Sequence, residues 1–239
     1  MKTLSAIVVF LFVFHLPASG QCDGKPGVDG LTWNFDEQER EGFKLLRFIG
    51  GLFTPDLIKE TNQIRSYVRD PRFALLVQRC GDLQATDYIY LRALRICDHN
   101  IARALFLAMM ATIDHRDVNV KVPVLGSLGV PLTLEEDSLF KARHANLPGR
   151  LYEDTPAEGD KDKLQHFFGS AYIAYAAESR ELARTSGDLV EWGEAKFIVG
   201  GVDDPRDRRA NSQGAQFGRD LLTVKNLLPS DYLELKTQE

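Results

Sequence analysis

Asp207, Asn211, Gly214 and Gly218 follow one another at spacings of four, three and four. On a helix these positions share one face. A glycine inside a helix costs roughly 1 kcal/mol relative to alanine. Two of them on one inward stripe mean that something comes close there, and a second helix with small side chains meets the need without any ligand. The run after Gly159 supplies that helix. Asp160 or Asp162 caps it, and it is expected to continue to about Arg184. Leu164, Phe168, Ala171, Tyr175 and Leu182 make its apolar stripe, with His166, Ser170, Ile173, Ala177 and Glu181 beside it. Gly169, Ser170, Ala171, Ala174, Ala176 and Ala177 keep that surface low. This constraint, more than any other in the 239-residue chain, points to helices packed face to face.

Between the two lies a third helix-like run. Gly187 stops the first helix, and Asp188-Leu189-Val190-Glu191 resembles a capping box. Glu191, Glu194, Ala195 and Ile198 then share a face. Gly200-Gly201 is a turn, and Asp204-Pro205 reads as an N-cap with proline at the first helical position. Glu191 has an adequate capping explanation. Asp207 has one too, because it falls in a first turn where the helix dipole favours an acid. His166, Glu194 and Asn211 have no such local reason to be where they are. Arg206, Arg208 and Arg209 interleave with Asp203, Asp204 and Asp207, which reads as a solvated, salt-bridged helix start. Leu222 to Leu228 is expected to extend the last helix, Pro229 to end it, and Ser230 to Glu239 to form a polar tail.

Upstream, Thr54-Pro55 opens a helix whose Leu57, Ile58, Ile64 and Val68 form one face. Asp70-Pro71 breaks it, and a further helix through Phe73, Leu75, Leu76 and Val77 reaches Cys80. The apolar period then predicts the longest helix from Asp87 to Ile113, placed in the core because its end is apolar on more than one side. His99 and His115 flank that end as capping or surface residues. Val118, Val120, Val122 and Val124 alternate with polar residues and Pro123, which predicts an irregular hairpin or extended edge over residues 118–134. Glu135-Glu136-Asp137-Ser138 opens a short helix through Phe140 to His144. The acidic stretch from Tyr152 to Gly159 separates the two halves. The predicted fold is therefore mainly α, a helical bundle with one short irregular β or extended segment.

The chain starts with Met1-Lys2-Thr3, an apolar stretch from Leu4 to Leu16, and Ala18-Ser19-Gly20 before Gln21. This is the layout of a secretory signal peptide, and the stretch is too short for a comfortable membrane span. The expectation is cleavage after Gly20 and a periplasmic or extracellular protein with no membrane span in the mature chain. Cys22 also leaves room for a lipid anchor, against which Gln21 is a poor preceding residue. Export permits disulfides, and Cys80 with Cys97 is the first-choice pair. At 44% hydrophobic and 26% charged the chain is globular, and its net charge of −5 argues against nucleic acid as a partner. The layout is a leader over 1–20, a helical region over 21–155, a second helical region over 156–228 packed on it, and a tail over 229–239.

Asp162-Lys163-x-x-His166, Glu191-x-x-Glu194 and Asp207-x-x-Ala210-Asn211-x-x-Gly214-x-x-x-Gly218 together resemble the pattern of the VanZ-like and YfiM-like proteins of the bacterial envelope. The resemblance covers the last third of the chain and implies a bacterial envelope protein. It is closer to the YfiM-like side, whose members are small periplasmic lipoproteins, because the VanZ-like proteins span the membrane. Glu194 stands where the VanZ-like pattern often has glutamine. The resemblance implies no activity.

Two functional readings stand side by side. In the first, His166, Glu194, Asp207 and Asn211 form a buried network, joined by Lys163, Glu191, Gly214 and Gly218, that fixes helix packing and lines a groove for an envelope lipid or a cell-wall fragment. In the second, the protein is a hydrolase acting on an envelope substrate. His166, Asp162, Glu194 and Asp207 are then the catalytic candidates, and His166, Glu191, Glu194 and Asp207 the candidate ligands of a divalent metal. One histidine among carboxylates is a sparse zinc set, and neither H-E-x-x-H nor G-x-S-x-G is present.

Overall fold

The computed structural model describes residues 55–122, 126–131, 133, 135–178 and 205–233. The expected leader, Cys22, Glu191 and Glu194 lie outside the described residues. What is described is mainly α, as the periodicity predicts. In chain order it runs α1 (Pro55–Arg69), α2 (Pro71–Cys80), α3 (Asp82–Ile96), α4 (Ile101–Ala111), β1 (Asp117–Val122), β2 (Gly126–Pro131), α5 (Asp137–Asn146), α6 (Lys161–Glu178), α7 (Pro205–Asp220) and α8 (Ser230–Leu233).

The break between α1 and α2 is made locally. Asp70 is extended at the N-cap, Pro71 takes the first position, and the Asp70 carboxylate accepts the Arg72 amide at 2.8 Å. The open end of α1 is closed from a distance, because the Asn146 amide donates to the carbonyls of Val68 (2.9 Å) and Arg69 (3.3 Å).

The single long helix expected from Asp87 to Ile113 is instead two. Its break falls at Cys97-Asp98-His99-Asn100, where Asp98 (φ +51°) and His99 (φ +65°) are both left-handed. Asn100 then caps α4 by accepting the Arg103 amide at 3.0 Å. Aspartate and histidine are among the few side chains tolerated in that region. The apolar period runs through the break, so the period alone could not locate it. α4 is the centre of the bundle. Ala102, Ala104, Leu105, Phe106, Leu107, Ala108, Met109 and Ala111 are all buried, as a helix that is apolar on more than one side requires.

The same break explains a second correction. Cys97 is a free, buried thiol, and Cys80 is disulfide-bonded elsewhere, so the expected Cys80–Cys97 bridge does not form. Cys80 ends α2 and Cys97 follows the far end of α3. Fifteen helical residues separate their two ends by about 22 Å, whereas a disulfide needs its Cα atoms within roughly 7 Å. The Cys97 thiol donates to the Ala93 carbonyl at 3.0 Å, and burial pushes its pKa up to about 11.

β1 and β2 form an antiparallel hairpin running from Asp117 opposite Pro131 to Val122 opposite Gly126. α5 then returns to α1 and is fixed by one buried carboxylate. Glu135 takes Arg143 (2.8 and 3.1 Å) and Arg69 (2.7 Å), with Arg65 at 3.8 Å. Arg65 and Arg143 also donate to the carbonyls of Met110 and Ala111, at the negative end of α4. One carboxylate and a helix C-terminus thus hold three guanidinium groups. Burial alone would raise the Glu135 pKa, but Arg65, Arg143 and Arg69 outweigh it and hold it below the usual range.

Two further expectations about the C-terminus are corrected. α7 stops at Asp220 and does not continue through Leu222 to Leu228. Part of the expected polar tail is ordered instead, since Ser230 to Leu233 form α8 and Leu233 is fully buried. Tyr232 packs on Phe217 with ring centroids 5.2 Å apart, and Phe217 in turn meets Phe167 and Tyr90, each at 5.4 Å. Tyr232 closes this aromatic cluster and Leu233 is buried beside it in sequence, which is why a segment opening on Ser230 and Asp231 still docks.

Candidate functional site

α6 and α7 are in direct backbone contact. A Cβ on Gly214 would overlap the Phe167 carbonyl and stand 2.9 Å from its Cα. One on Gly218 would overlap the Ala171 carbonyl and stand 3.0 Å from its Cα. Real Cβ atoms do not approach this closely, so only glycine fits at either position. The helix of small residues is therefore what the glycines face, without a ligand.

Successive pairs along the contact rise together, from Lys163 with Asp207 to Ala171 with Gly218. The two helices are thus parallel, with their N-termini side by side. Each N-terminus carries partial positive charge. Asp160, Asp162 and Asp207 lie where two such ends converge.

The polar side chains of the motif gather there. Lys163 is 1% exposed. Its ammonium lies 2.5 Å from Asp162 Oδ2 and 2.6 Å from Asp207 Oδ1. His166, one turn on, places Nε2 3.5 Å from the same Asp207 oxygen. A turn further, Ser170 Oγ donates to Asn211 Oδ1 at 2.9 Å. The mid-helix serine, unremarkable in sequence, is the partner that Asn211 requires. Asp207 is more than a dipole-favoured acid, because it joins Lys163 to His166 across the two helices. His166 and Asp207 are each 18% exposed at the side chain, so the network is open on one side.

Residues outside the sequence motif hold α7 in place. Asp160 is fully buried, and its carboxylate does not cap α6. It takes Arg206 on one oxygen and the Thr155 hydroxyl on the other. Arg209 reaches Asp154 through two bonds (2.8 and 3.1 Å) and lies over the Tyr152 ring. The Tyr152 hydroxyl donates to Gln213 at 2.9 Å. Arg206 and Arg209 thus reach acids of the segment before α6, while Asp203 and Asp204 of the expected salt-bridged helix start lie outside the described residues. That acidic segment is the clamp on α7 rather than a spacer. No local pattern could have shown this, because the partners are about fifty positions apart.

A second dyad lies at the end of α4. Asp114 Oδ1 meets His115 Nδ1 at 2.6 Å, and this bond raises the histidine pKa. Asp162 adds to the rise, which puts His115 within electrostatic reach of the network. His115 is exposed, as expected of a surface histidine, and Asp114 is its partner.

Of the candidate metal ligands, the structure brings His166 and Asp207 together. Among the described residues no group of three or more His, Cys, Asp or Glu side chains is placed to hold a metal ion. The position between Asp162 and Asp207 is taken by the Lys163 ammonium, so a divalent cation there would have to displace it. No helix among the described residues is long and apolar enough to cross a membrane. Compared with family models, curated proteins and solved structures, the chain matches none.

Proposed function

We propose that this is an exported bacterial envelope protein of the VanZ-like and YfiM-like kind, serving as a binding or structural module. One observation carries the reading: Lys163, almost fully buried, is held between Asp162 and Asp207 where two parallel helices touch backbone to backbone. The charges there satisfy one another, which is what a packing network needs. A buried cation left alone would cost several kcal/mol. The half-buried edge made by His166, Ser170 and Asn211 is where an envelope lipid headgroup or a cell-wall fragment would be recognised.

A second reading keeps one supporting observation. His166 Nε2 stands 3.5 Å from Asp207, which could orient the imidazole as a general base of a hydrolase. Metal content and thermal stability of the purified protein, beside a His166→Ala variant, separate the two. Absence of stoichiometric metal with a clear loss of stability in the variant supports the network. Stoichiometric metal that disappears in the variant supports the hydrolase. A variant unchanged in both respects would remove the network from consideration. The mass of the mature N-terminus tests export directly, since cleavage before Gln21 gives one defined mass.

A further inference from the structure

We infer that Asp87 and Ser230 form a pH-sensitive clasp, which holds the C-terminal helix α8 on the bundle at acid pH and loosens it as the pH rises. Asp87 lies midway along α3 and is 1% exposed. Both of its oxygens are spent on one residue of α8: Oδ1 accepts the Ser230 amide at 2.8 Å and Oδ2 the Ser230 hydroxyl at 2.6 Å. These donors are neutral. The charged group acting on Asp87 from α8 is Asp231, another carboxylate, whose own Oδ2 accepts the Leu228 amide at 2.9 Å. On the α7 side, Asp220 is taken by Tyr232 (2.7 Å) and Gln216 (2.8 Å). Within α3, Asp82 is turned to the amides of Gly149 and Arg150. Among the described residues no cation pairs with Asp87.

A carboxylate buried without a cation resists ionisation. Burial lifts the Asp87 pKa to about 6; the Ser230 bonds restrain that rise and Asp231 adds to it. The contrast with Glu135, equally buried but held by three arginines, isolates the cause. The sign follows directly. A docked α8 keeps Asp87 buried and proton-hungry, whereas undocking returns it to water and an ordinary pKa of about 3.9. Docking is therefore strongest below the ordinary value and weakens as pH rises through about 6. The full change is roughly a hundredfold in the docking equilibrium. Loosening α8 withdraws Tyr232 and Leu233 from the aromatic cluster that supports α7.

Amide hydrogen exchange of the intact protein between pH 4 and pH 7.5, corrected for intrinsic base catalysis, tests this. Over this range the protection of the amides in residues 230–233 should fall by about a hundredfold more in the wild type than in Asp87→Asn. A flat wild-type protection, or an equal fall in the variant, overturns the clasp. A carbon-13 titration of the wild-type Asp87 carboxyl decides the point without any variant. A midpoint near 6 is expected, and one below about 4.5 overturns the inference.

Discussion

Lys163 concentrates the energetics of the α6–α7 contact in one side chain. Its two partners differ in exposure, since the Asp162 side chain is 32% exposed and that of Asp207 18%. A partly exposed ion pair contributes little, and the more buried one contributes more. Asp162→Asn should therefore cost about 0.5 kcal/mol and Asp207→Asn about 2 kcal/mol, the second also losing the link to His166. Lys163→Ala should cost about 2–4 kcal/mol, because it leaves two facing carboxylates without their cation. Urea unfolding of the three variants at neutral pH gives the order directly, and equal costs for both aspartates would contradict the assigned roles. Of the motif residues, His166 and Asn211 are recognisable in the sequence because they fall at helical spacing with no local reason to be there, whereas Asp162 and Asp207 also read as helix-start acids. Asp160 is not recognisable in this way. Beside a helix start it looks like a cap, and only the fold shows its carboxylate turned to Arg206 and Thr155.

At the scale of the element, the glycine stripe of α7 is the most legible feature of the chain and makes the most direct prediction. Gly214→Ala should gain roughly 1 kcal/mol in helix propensity. The new Cβ, however, would meet the backbone of Phe167, with the Phe167 Cα at 2.9 Å, and a helix backbone cannot move aside as a flexible side chain can. The net result should be a loss of about 2–4 kcal/mol as α6 and α7 are forced apart. Gly214→Ala matching or exceeding wild-type stability in thermal unfolding would show that the helices are not in backbone contact. Helix ends are less readable than helix faces. The break between α3 and α4 hides inside a continuous apolar period, and its signal is the short polar run Asp98-His99-Asn100, two of whose members accept left-handed backbone. The end of α7 misleads in the opposite way. Leu221 and Leu228 are apolar enough to suggest more helix, yet they are buried by the turns that deliver α8.

At the scale of the molecule, two buried carboxyl groups answer pH in opposite directions because of what surrounds them. Asp87 has only neutral donors, whereas Glu135 closes the far side of the bundle by joining α1, α4 and α5 through Arg65, Arg69 and Arg143. Those arginines hold Glu135 ionised below its usual range. Its contribution is therefore present above the ordinary glutamate pKa of about 4.3 and lost as pH falls through the lower folded value. Protonating it leaves Arg65 and Arg143 with the α4 carbonyls as acceptors and Arg69 with the Ser66 hydroxyl. Acid should therefore unfold the wild type steeply below about pH 4. Glu135→Gln keeps the shape and removes the charge at every pH, so it should cost about 3–5 kcal/mol at pH 7. The gap between variant and wild type should then shrink as pH falls from 5 to 3, since the wild type loses in acid what the variant already lacks. Urea midpoints of both proteins across that range measure the gap, and the Asp87 contribution cancels because both retain it. A gap that stays constant through pH 3 would mean that Glu135 is not the group through which acid opens the bundle.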